Sequence, residues 1–205
     1  VKPYSAFNSA NENRNQLVYI GSNDGMLHAF DADTGSEAFA YVPNIVIQNL
    51  SELTKPDYTH QFYVDLTPSI HDVYANVGGT LDWHTVLVGG LGGGGKGYYA
   101  LDITDPGGFD TETNAASNVL WEFTEADDGG VGSSDLGYSY GRPLLAMSNA
   151  TDGSADSNQR WVAIFGNGFN STSANGNAVG SVTGVDPDEL TVIRLPTPVT
   201  TGGLP

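Results

Sequence analysis

The chain has 205 residues, 39% of them hydrophobic, a size that suits one domain or a piece of a larger one. It carries 7 lysines and arginines against 24 aspartates and glutamates, and the net charge of −17 argues against nucleic-acid binding, because phosphate contacts need cationic side chains. The absence of cysteine excludes disulfides and thiol chemistry, and no apolar run reaches the roughly 18 residues of a membrane span, so we expect no membrane insertion.

Residues 1 to 16 are polar and are predicted to form a loop that leads into the domain. The first unit, residues 17 to 62, alternates short apolar segments with turns, and Asp24-Gly25 is the two-residue signal for a primed hairpin turn. Its strands are predicted at 17–20, 26–30 and 37–42. Three antiparallel strands joined by tight turns form most of a propeller blade. Residues 44 to 55 carry the only weakly helical pattern of the chain.

Two more units repeat this pattern, at residues 63 to 135 and 136 to 195, and residues 196 to 205 are predicted to begin a further blade. In each unit, three apolar residues and a glycine mark one strand, and an apolar residue followed by aspartate ends the next. The markers are Ile20-Gly21 with Phe30-Asp31, Val88-Gly89 with Leu101-Asp102, and Phe165-Gly166 with Val185-Asp186. The strands of these units are predicted at 62–65, 67–74, 83–90, 97–103, 119–123, 142–147, 160–166, 179–186 and 190–195, with loops at 76–82, 105–118, 125–135 and 167–178.

The predicted fold class is therefore all-β, a β-propeller of which this chain covers about three blades. A closed ring takes roughly 4 to 8 blades, and Val1 is not an initiator methionine. We therefore expect a piece of a longer protein, or part of a ring that is completed elsewhere. The insertions at 44–62 and 105–135 exceed what a blade needs, and because long loops carry function, we expect partner contacts there.

The stretch from Ala29 to Phe39 resembles the docking motif of quinoprotein-type propellers. That motif reads Ala-x-Asp-x-x-Thr-Gly, followed by an aromatic residue four positions after the glycine. Asp31, Thr34, Gly35 and Phe39 occupy these positions here, with Phe39 where tryptophan is usual. In the motif, the aspartate and threonine tie the turn, and the aromatic ring holds one blade to the next. The resemblance implies a structural role for these residues, not a catalytic one.

No stretch of the chain has the pattern of a catalytic or cofactor site. The run from Gly90 to Lys96 has phosphate-loop spacing, but Gly97 stands where serine or threonine should hold magnesium, so we predict a flexible hairpin loop. The four histidines are not at the i, i+4 spacing of a helical zinc site, and His28 and His71, on predicted strands, are expected to be packed in the interior or to make a satisfied hydrogen bond. No G-x-S-x-G elbow is present, although the sequence leaves a Ser-His-Asp triad open. We therefore do not expect an enzyme.

One acidic loop is a candidate for calcium. Ser154, Asp156 and Asn158 place oxygen side chains at alternate positions, with Asp152 beside them, and calcium binds six to eight oxygens. The loop lacks the glycine and the closing glutamate of the helical calcium loop. We read it first as a solvated hairpin tip, with a calcium site as the alternative.

Six segments, in order along nearly the whole chain, resemble the C-terminal β-propeller of the type IV pilus biogenesis factor and tip-associated adhesin family, PilY/PilC. The segments are VYIGSNDGMLHAFDADTG (18–35), YVDLTPSIHDVY (63–74), WHTVLVGGLGGGGKGYYALDITDP (83–106), VLWEFTEADD (119–128), LGYSYGRP (136–143) and RWVAIFGNGFNS (160–171).

This resemblance implies a modified seven-bladed propeller that is exported to the cell surface, the pilus tip or the outer membrane. It implies roles in pilus assembly, retraction control, twitching motility and adhesion. The implied partners are minor pilins or the pilus tip complex, with a host or abiotic surface. The family's calcium loop lies downstream of the third unit, so calcium is expected for a full-length member, with its ligands outside this chain.

Two other functions remain open at this point. A quinone-dependent dehydrogenase is also a propeller, but it needs a calcium ion, a base and cationic cofactor contacts, which 7 dispersed lysines and arginines support poorly. A carbohydrate-binding propeller would use tyrosines and tryptophans exposed on the loops, and the sequence neither favours nor opposes it.

Overall fold

The computed structural model of the protein describes residues 2–127, 136–148, 160–166, 168–169 and 190–194. Within these residues, ten strands form three antiparallel sheets, so the all-β prediction is confirmed. The strands are β1 (Leu17–Gly21), β2 (Leu27–Asp31), β3 (Glu37–Tyr41), β4 (Ser69–Val77), β5 (Thr80–Gly90), β6 (Gly97–Asp102), β7 (Val119–Thr124), β8 (Leu144–Ser148), β9 (Arg160–Gly166) and β10 (Leu190–Arg194). The helices are α1 (Tyr4–Asn11), α2 (Asn44–Ile47) and α3 (Glu112–Asn118), with 3₁₀ turns at Leu50–Thr54, Gly92–Gly94 and Pro106–Phe109.

The sheets are consecutive meanders, which is the propeller arrangement. The first sheet has the order β1-β2-β3, the second β4-β5-β6-β7 and the third β8-β9-β10. The second sheet lies between the other two and is buried on both faces. Alternate side chains of a strand point to opposite faces, so the second half of β5 (86–90) and most of β6 are apolar. Leu87 and Leu101, both fully buried on the face toward the first sheet, each contribute about 2 kcal/mol through burial.

Two core clusters follow from this stacking. The cluster between the second and third sheets contains Val73, Val86, Val88, Tyr98, Ala100, Leu145, Ala163 and Phe165. The cluster between the first and second sheets contains Leu27, Val46, Tyr63, Val64, Leu87, Leu91, Tyr99, Leu101 and Ile103.

The first sheet differs from the other two at its edge. By the apolar-glycine marker of the repeat, β1 corresponds to β5 in the second sheet and β9 in the third. β5 and β9 each have a strand on both sides, whereas in the described part of the chain β1 pairs only with β2. Val18 and Ile20 on β1 are 55% and 53% exposed. A slot of about 100 Å³ lies beside β1, against residues 64–68. Among the described strands, the first sheet therefore has no counterpart of the innermost strands β4 and β8.

The prediction of a loop over residues 1 to 16 is wrong in part, because helix α1 lies within it. It buries none of its own residues, so no periodic signal marks it in the sequence. The second sheet holds it instead: the Trp83 indole N–H donates to the Lys2 carbonyl at 2.9 Å, and the Trp83 ring lies 4.9 Å from that of Tyr4. Contacts with residues far away in the sequence thus stabilise a helix where the polar local sequence predicts a loop.

Two predicted turns differ in their geometry. Asp24-Gly25 is not a two-residue primed turn; it belongs to a three-residue loop that ends at Gly25, whose φ of +98° suits glycine. The predicted loop at 76–82 is mostly strand, and the two-residue turn is Gly78-Gly79, with φ values of +59° and +86°. Positive φ at both central residues is the primed hairpin geometry.

The predicted loop at 105–118 contains two helical segments. Asp105 accepts a hydrogen bond from the Gly107 N–H at 2.9 Å, and Thr111 accepts one from the Asn114 N–H at 3.2 Å. These are N-caps, which satisfy the free N–H groups at a helix start. The weakly helical pattern at 44–55 is confirmed, as α2 and the turn Leu50–Thr54.

One strand prediction is wrong, and one strand pairing differs from the prediction. Residues 62–65 form no strand; they pack as an irregular segment against the β5–β6 loop. In the third unit, β9 is flanked by β8 and β10, so residues 190–194 occupy the place predicted for 179–186. The stretch 179–186, with Val185-Asp186, lies outside the described residues.

Candidate functional site

One end of the three sheets, which we call the loop end, gathers the longest connections. Neighbouring antiparallel strands run in opposite directions, so alternate connections emerge at the same end. The loop end therefore combines the β1–β2 loop, the β3–β4 connection (42–68), the β5–β6 loop (91–96) and the described part of the β7–β8 connection. The opposite end carries the β4–β5 turn, α1 and α3.

Glycines in the β5–β6 loop let its backbone approach the β3–β4 connection closely. A Cβ atom on Gly94 would lie 1.9 Å from the carbonyl oxygen of Tyr63, so only glycine fits there. The Leu91 N–H donates to Ser139 Oγ at 2.9 Å. The predicted flexible loop is therefore a hairpin connection that packing holds in place. β6 follows it directly, so no helix N-terminus is present to bind phosphate.

A cleft of about 450 Å³ opens at the loop end between the β5–β6 loop and the two long connections. Its polar side chains are neutral: the amides of Asn49 and Gln61 and the phenol of Tyr138. Lys96 also lines the cleft, and its ammonium donates to Glu125 Oε1 at 2.7 Å, which pairs the charge. The rest of the lining is the Phe62 ring with Gly93, Gly94 and Gly95.

The neutral side chains of the cleft have unused hydrogen-bonding capacity. Within the described ranges, no protein group bonds to the Asn49 amide, the Gln61 amide or the Tyr138 hydroxyl. Their positions are nevertheless set by the backbone: the Tyr63 hydroxyl donates to the Asn49 carbonyl, and the Gln61 N–H donates to the Tyr58 hydroxyl, each at 3.1 Å. As far as the described residues go, the three groups are available to a ligand.

A second polar cluster lies toward the opposite end of the second sheet. His84 Nδ1 lies 2.7 Å from Asp102 Oδ2, and Asp102 Oδ1 accepts hydrogen bonds from the Thr104 N–H and hydroxyl. Burial would raise the pKa of Asp102, but the hydrogen bonds from His84 and Thr104 outweigh it and hold this pKa below its usual value. No described serine or threonine hydroxyl contacts His84, so the described residues contain no Ser-His-Asp triad. The cluster therefore has a structural role, because it joins β5 to the end of β6.

A chain of hydrogen bonds connects this cluster to the segment that follows α1. Arg14 donates to the Thr85 hydroxyl at 2.8 Å, and that hydroxyl donates to Asp72 at 2.6 Å. The Tyr4 hydroxyl donates to the other oxygen of Asp72 at 2.7 Å. These bonds fasten the start of the chain to the second sheet.

The four residues of the docking motif are close together around the β2–β3 turn. Asp31 Oδ1 accepts from the Thr34 N–H at 2.8 Å and from its hydroxyl at 2.9 Å, and these bonds lower the pKa of Asp31. Gly35 closes the turn with φ +72°. The Phe39 ring stacks on Phe109, with centroids 3.8 Å apart, and Phe109 belongs to the connection between β6 and β7. Its role in holding neighbouring blades stays a prediction.

The two histidines expected on strands have different surroundings. His28 is mostly buried and lies between two carboxylates, with Nδ1 2.5 Å from Glu37 and Nε2 2.9 Å from Asp24. The hydrogen bond with Glu37, followed by that with Asp24, raises the pKa of His28 despite burial. His71 is exposed, contrary to expectation, with its ring 5.3 Å from that of Trp161.

The calcium candidates Asp152, Ser154, Asp156 and Asn158 lie outside the described residues. Among the residues that are described, no three histidines or carboxylates lie close enough together to hold a metal ion. The described helices are too short or too polar to cross a membrane. Sequence reasoning selected the 44–62 insertion, which supplies Asn49, Gln61 and Phe62 to the cleft, but it missed Tyr138 because nothing local marks its approach.

Comparison with known proteins matches this fold to one family. The model of the PilY1 beta-propeller domain matches residues 1–194. A type IV pilus biogenesis factor PilY1 homolog of Xylella fastidiosa is 44% identical over 178 residues, which cover 86% of this chain and 10% of that protein. The type IV pilus biogenesis factor PilY1 of Pseudomonas aeruginosa is 42% identical over 171 residues, covering 82% of this chain and 12% of that protein.

A solved structure supports the same assignment. The crystal structure of the Pseudomonas aeruginosa PilY1 C-terminal domain superposes with a TM-score of 0.57 at 40% identity, covering 82% of this chain and 28% of that one. The chain thus spans about a tenth of the length of the curated relatives it matches. From its sequence, its stacked meanders and these matches, the chain belongs to the PilY1 beta-propeller domain family.

Proposed function

We propose that this chain is the propeller module of a type IV pilus biogenesis factor and that it works through protein contacts, not catalysis. The observation that carries the proposal is the match of the PilY1 beta-propeller family to residues 1–194, together with relatives named for pilus biogenesis. The module acts outside the cell, at the pilus or cell surface. Its partners are minor pilins or the pilus tip complex, and through them it affects assembly, retraction, twitching motility and adhesion to a host or abiotic surface.

The loop end is the contact surface in this proposal. Tyr140 is 54% exposed there, and Phe169, also exposed, lies beside it with ring centroids 6.5 Å apart. Exposed aromatic rings are typical of protein interfaces, where they bury a large area at a small entropic cost. The insertion at 44–62 forms one wall of the same end.

A quinone-dependent dehydrogenase is not supported as an alternative. Its anionic cofactor needs free cationic groups, but five of the seven lysine and arginine side chains, those that the structure describes, are each bonded to an oxygen of the protein. They are Lys2 with Asp82, Arg14 with Thr85, Lys55 with Glu52, Lys96 with Glu125 and Arg142 with the Pro68 carbonyl. The relatives' names also give no support to carbohydrate binding as the principal function.

The test is surface piliation in a bacterium whose gene for the protein is deleted and then restored. We expect deletion to reduce surface pili and the unchanged protein to restore them. Tyr140→Asp should fail to restore them fully, because a charge would interrupt the contact surface. Leu81→Asp, at a residue 42% exposed at the opposite end, is the matched control and should restore them. Normal piliation without the gene, or equal effects of both substitutions, would contradict the proposal.

Calcium binding is a separate proposal that rests on the family resemblance alone. We propose that the calcium ligands of the full-length protein lie outside residues 1–205. Calorimetric titration of this chain with Ca²⁺ should then give no saturable heat. Saturable binding would overturn the proposal and direct attention to Asp152 and Asp156, whose substitution by asparagine should then abolish it.

A further inference from the structure

The cleft at the loop end has the chemistry of a site for a neutral ligand that carries many hydroxyl groups. The amides of Asn49 and Gln61 can each donate and accept hydrogen bonds, and so can the Tyr138 hydroxyl. Ligand sites combine an aromatic or apolar wall with a few convergent polar groups of this kind, in volumes of roughly 300–1,000 Å³. The cleft, at about 450 Å³, lies within that range.

The Phe62 ring supplies the apolar wall. It is 50% exposed, although a ring of this size is normally buried in a core. Gly93 lies directly beneath it, since a Cβ atom there would be 3.0 Å from the ring. Gly93 supports the ring, and the His60 ring lies edge-to-face with it at 5.1 Å between centroids. Half of the ring stays exposed, and there the apolar C–H face of a sugar ring can pack against it.

The charge of the site favours a neutral ligand over an anionic one. Lys96 is bonded to Glu125, so it has no unpaired charge for an anion. The protein as a whole carries −17, which repels anions from its surface. A sialylated or sulfated saccharide is an anion, so it would find no unpaired cation in the cleft and would be repelled by the net charge of the protein. A neutral saccharide is affected by neither.

A peptide fits the cleft less well. Peptides bind mostly by adding a strand to a free sheet edge or by placing an apolar side chain in a pocket. The β5–β6 loop joins two strands that are each paired on both sides, so it offers no free edge. Polar and backbone groups make up most of the lining. We propose that this cleft binds a neutral saccharide, a role that goes beyond the proposed pilus contacts.

The experiment is a titration of the full chain with four neutral disaccharides: maltose, cellobiose, lactose and chitobiose. Saturation-transfer NMR measures the binding. We expect saturable binding of at least one. Phe62→Ala should weaken it about tenfold through loss of the stacking wall, and Gln61→Ala should weaken it roughly three- to tenfold through loss of hydrogen bonds. Tyr140→Ala removes an equally exposed ring that does not line the cleft, and it should bind as the unchanged protein does.

Failure of this inference can be told apart from failure of the proposed function, because Tyr140 is the contact residue in the piliation test and the control residue in the saccharide titration. Tyr138→Phe deletes only a hydroxyl, so it should fold normally and still weaken binding. No saturable binding to any of the four sugars would overturn the inference. Equal weakening by Tyr140→Ala, tighter binding of sialyllactose than of lactose, or displacement of the sugar by a pilin peptide with higher affinity would also overturn it.

Discussion

The first and second sheets place an aspartate at the same position of the repeat and use it differently. Asp31 ends β2 opposite Leu17, and Asp102 ends β6 opposite Val86. Asp31 bonds within its own turn, to a residue three positions away. Asp102 is buried and bonds across the sheet to His84, which is 18 positions away. Asp102 also accepts hydrogen bonds from Thr104 in its own turn, so it ties a turn as Asp31 does and in addition cross-links two strands.

The connections that follow the two aspartates also differ. The β2–β3 connection is a short turn, in which Asp31 accepts from the Asp33 and Thr34 N–H groups and from the Thr34 hydroxyl. The β6–β7 connection runs through residues 103–118 and carries a 3₁₀ turn and α3. This longer connection reaches back to the first sheet, where its Phe109 meets Phe39. An insertion in one blade thus becomes part of the packing of its neighbour.

The largest expected effect comes from breaking that contact. Phe39 is only 8% exposed, so Phe39→Ala should lower the free energy of unfolding by about 3 kcal/mol, through lost burial and the cavity that remains. Urea unfolding measures the loss. A double-mutant cycle with Phe109→Ala should give a coupling of about 1 kcal/mol, because the stacked pair is worth more than its area. Strictly additive losses would show that the rings do not hold the two units together.

Removing the buried aspartate should have the next largest effect. Asp102→Ala leaves the His84 ring and the Thr104 N–H without their acceptor, so we expect a loss of about 2 kcal/mol. Asp102→Asn keeps one oxygen and should cost less. Asp31→Ala is the matched control in the first sheet, and its loss should be clearly smaller because water can replace the carboxylate. Equal losses at Asp31 and Asp102, by chemical denaturation at neutral pH, would remove the distinction between the two turns.

The two connections also differ in backbone strain. Gly35 has φ +72° with open space around it, so Gly35→Ala should cost about 1 kcal/mol from strain alone. Gly107, in the second connection, has no positive φ, and a Cβ atom there would lie 3.3 Å from the Asp105 side-chain oxygen, which can shift, so Gly107→Ala should cost less than Gly35→Ala. Thermal unfolding of both variants checks this. A neutral Gly35→Ala would mean that the first turn does not need its left-handed residue.

Local patterns in the sequence predicted most strands and the short turn after β2. Contacts between residues far apart in the sequence explain the elements that were predicted wrongly. The strand at 160–166 has the predicted bounds because apolar residues and a closing glycine lie within it. The Asp31–Thr34 turn could be predicted because its partners are neighbours in sequence. Helix α1 could not, because Trp83 stabilises it from the second sheet.

The candidate site shows the same limit. The length of the 44–62 insertion indicated a functional region, and Gln61 and Phe62 lie within it. Tyr138 joins them because its neighbour Ser139 bonds to the β5–β6 loop: the Ser139 hydroxyl accepts from the Leu91 N–H at 2.9 Å and donates to the Gly95 carbonyl at 3.2 Å. Glycine content predicted a loop, but it could not say which segment the loop would contact.

The smallest expected effect depends on pH and concerns His28 in the first sheet. His28 has a raised pKa because Glu37 and then Asp24 bond to its ring, so its contribution to stability is fully present below the unfolded value of about 6.5. That contribution is lost as pH rises through the folded pKa. The difference in unfolding free energy between the unchanged protein and His28→Gln should therefore be about 0.5–1 kcal/mol at pH 6, since both carboxylates are partly exposed, and should shrink toward pH 9. A difference that stays constant from pH 6 to pH 9 would mean that packing against Phe30, not charge, is what His28 contributes.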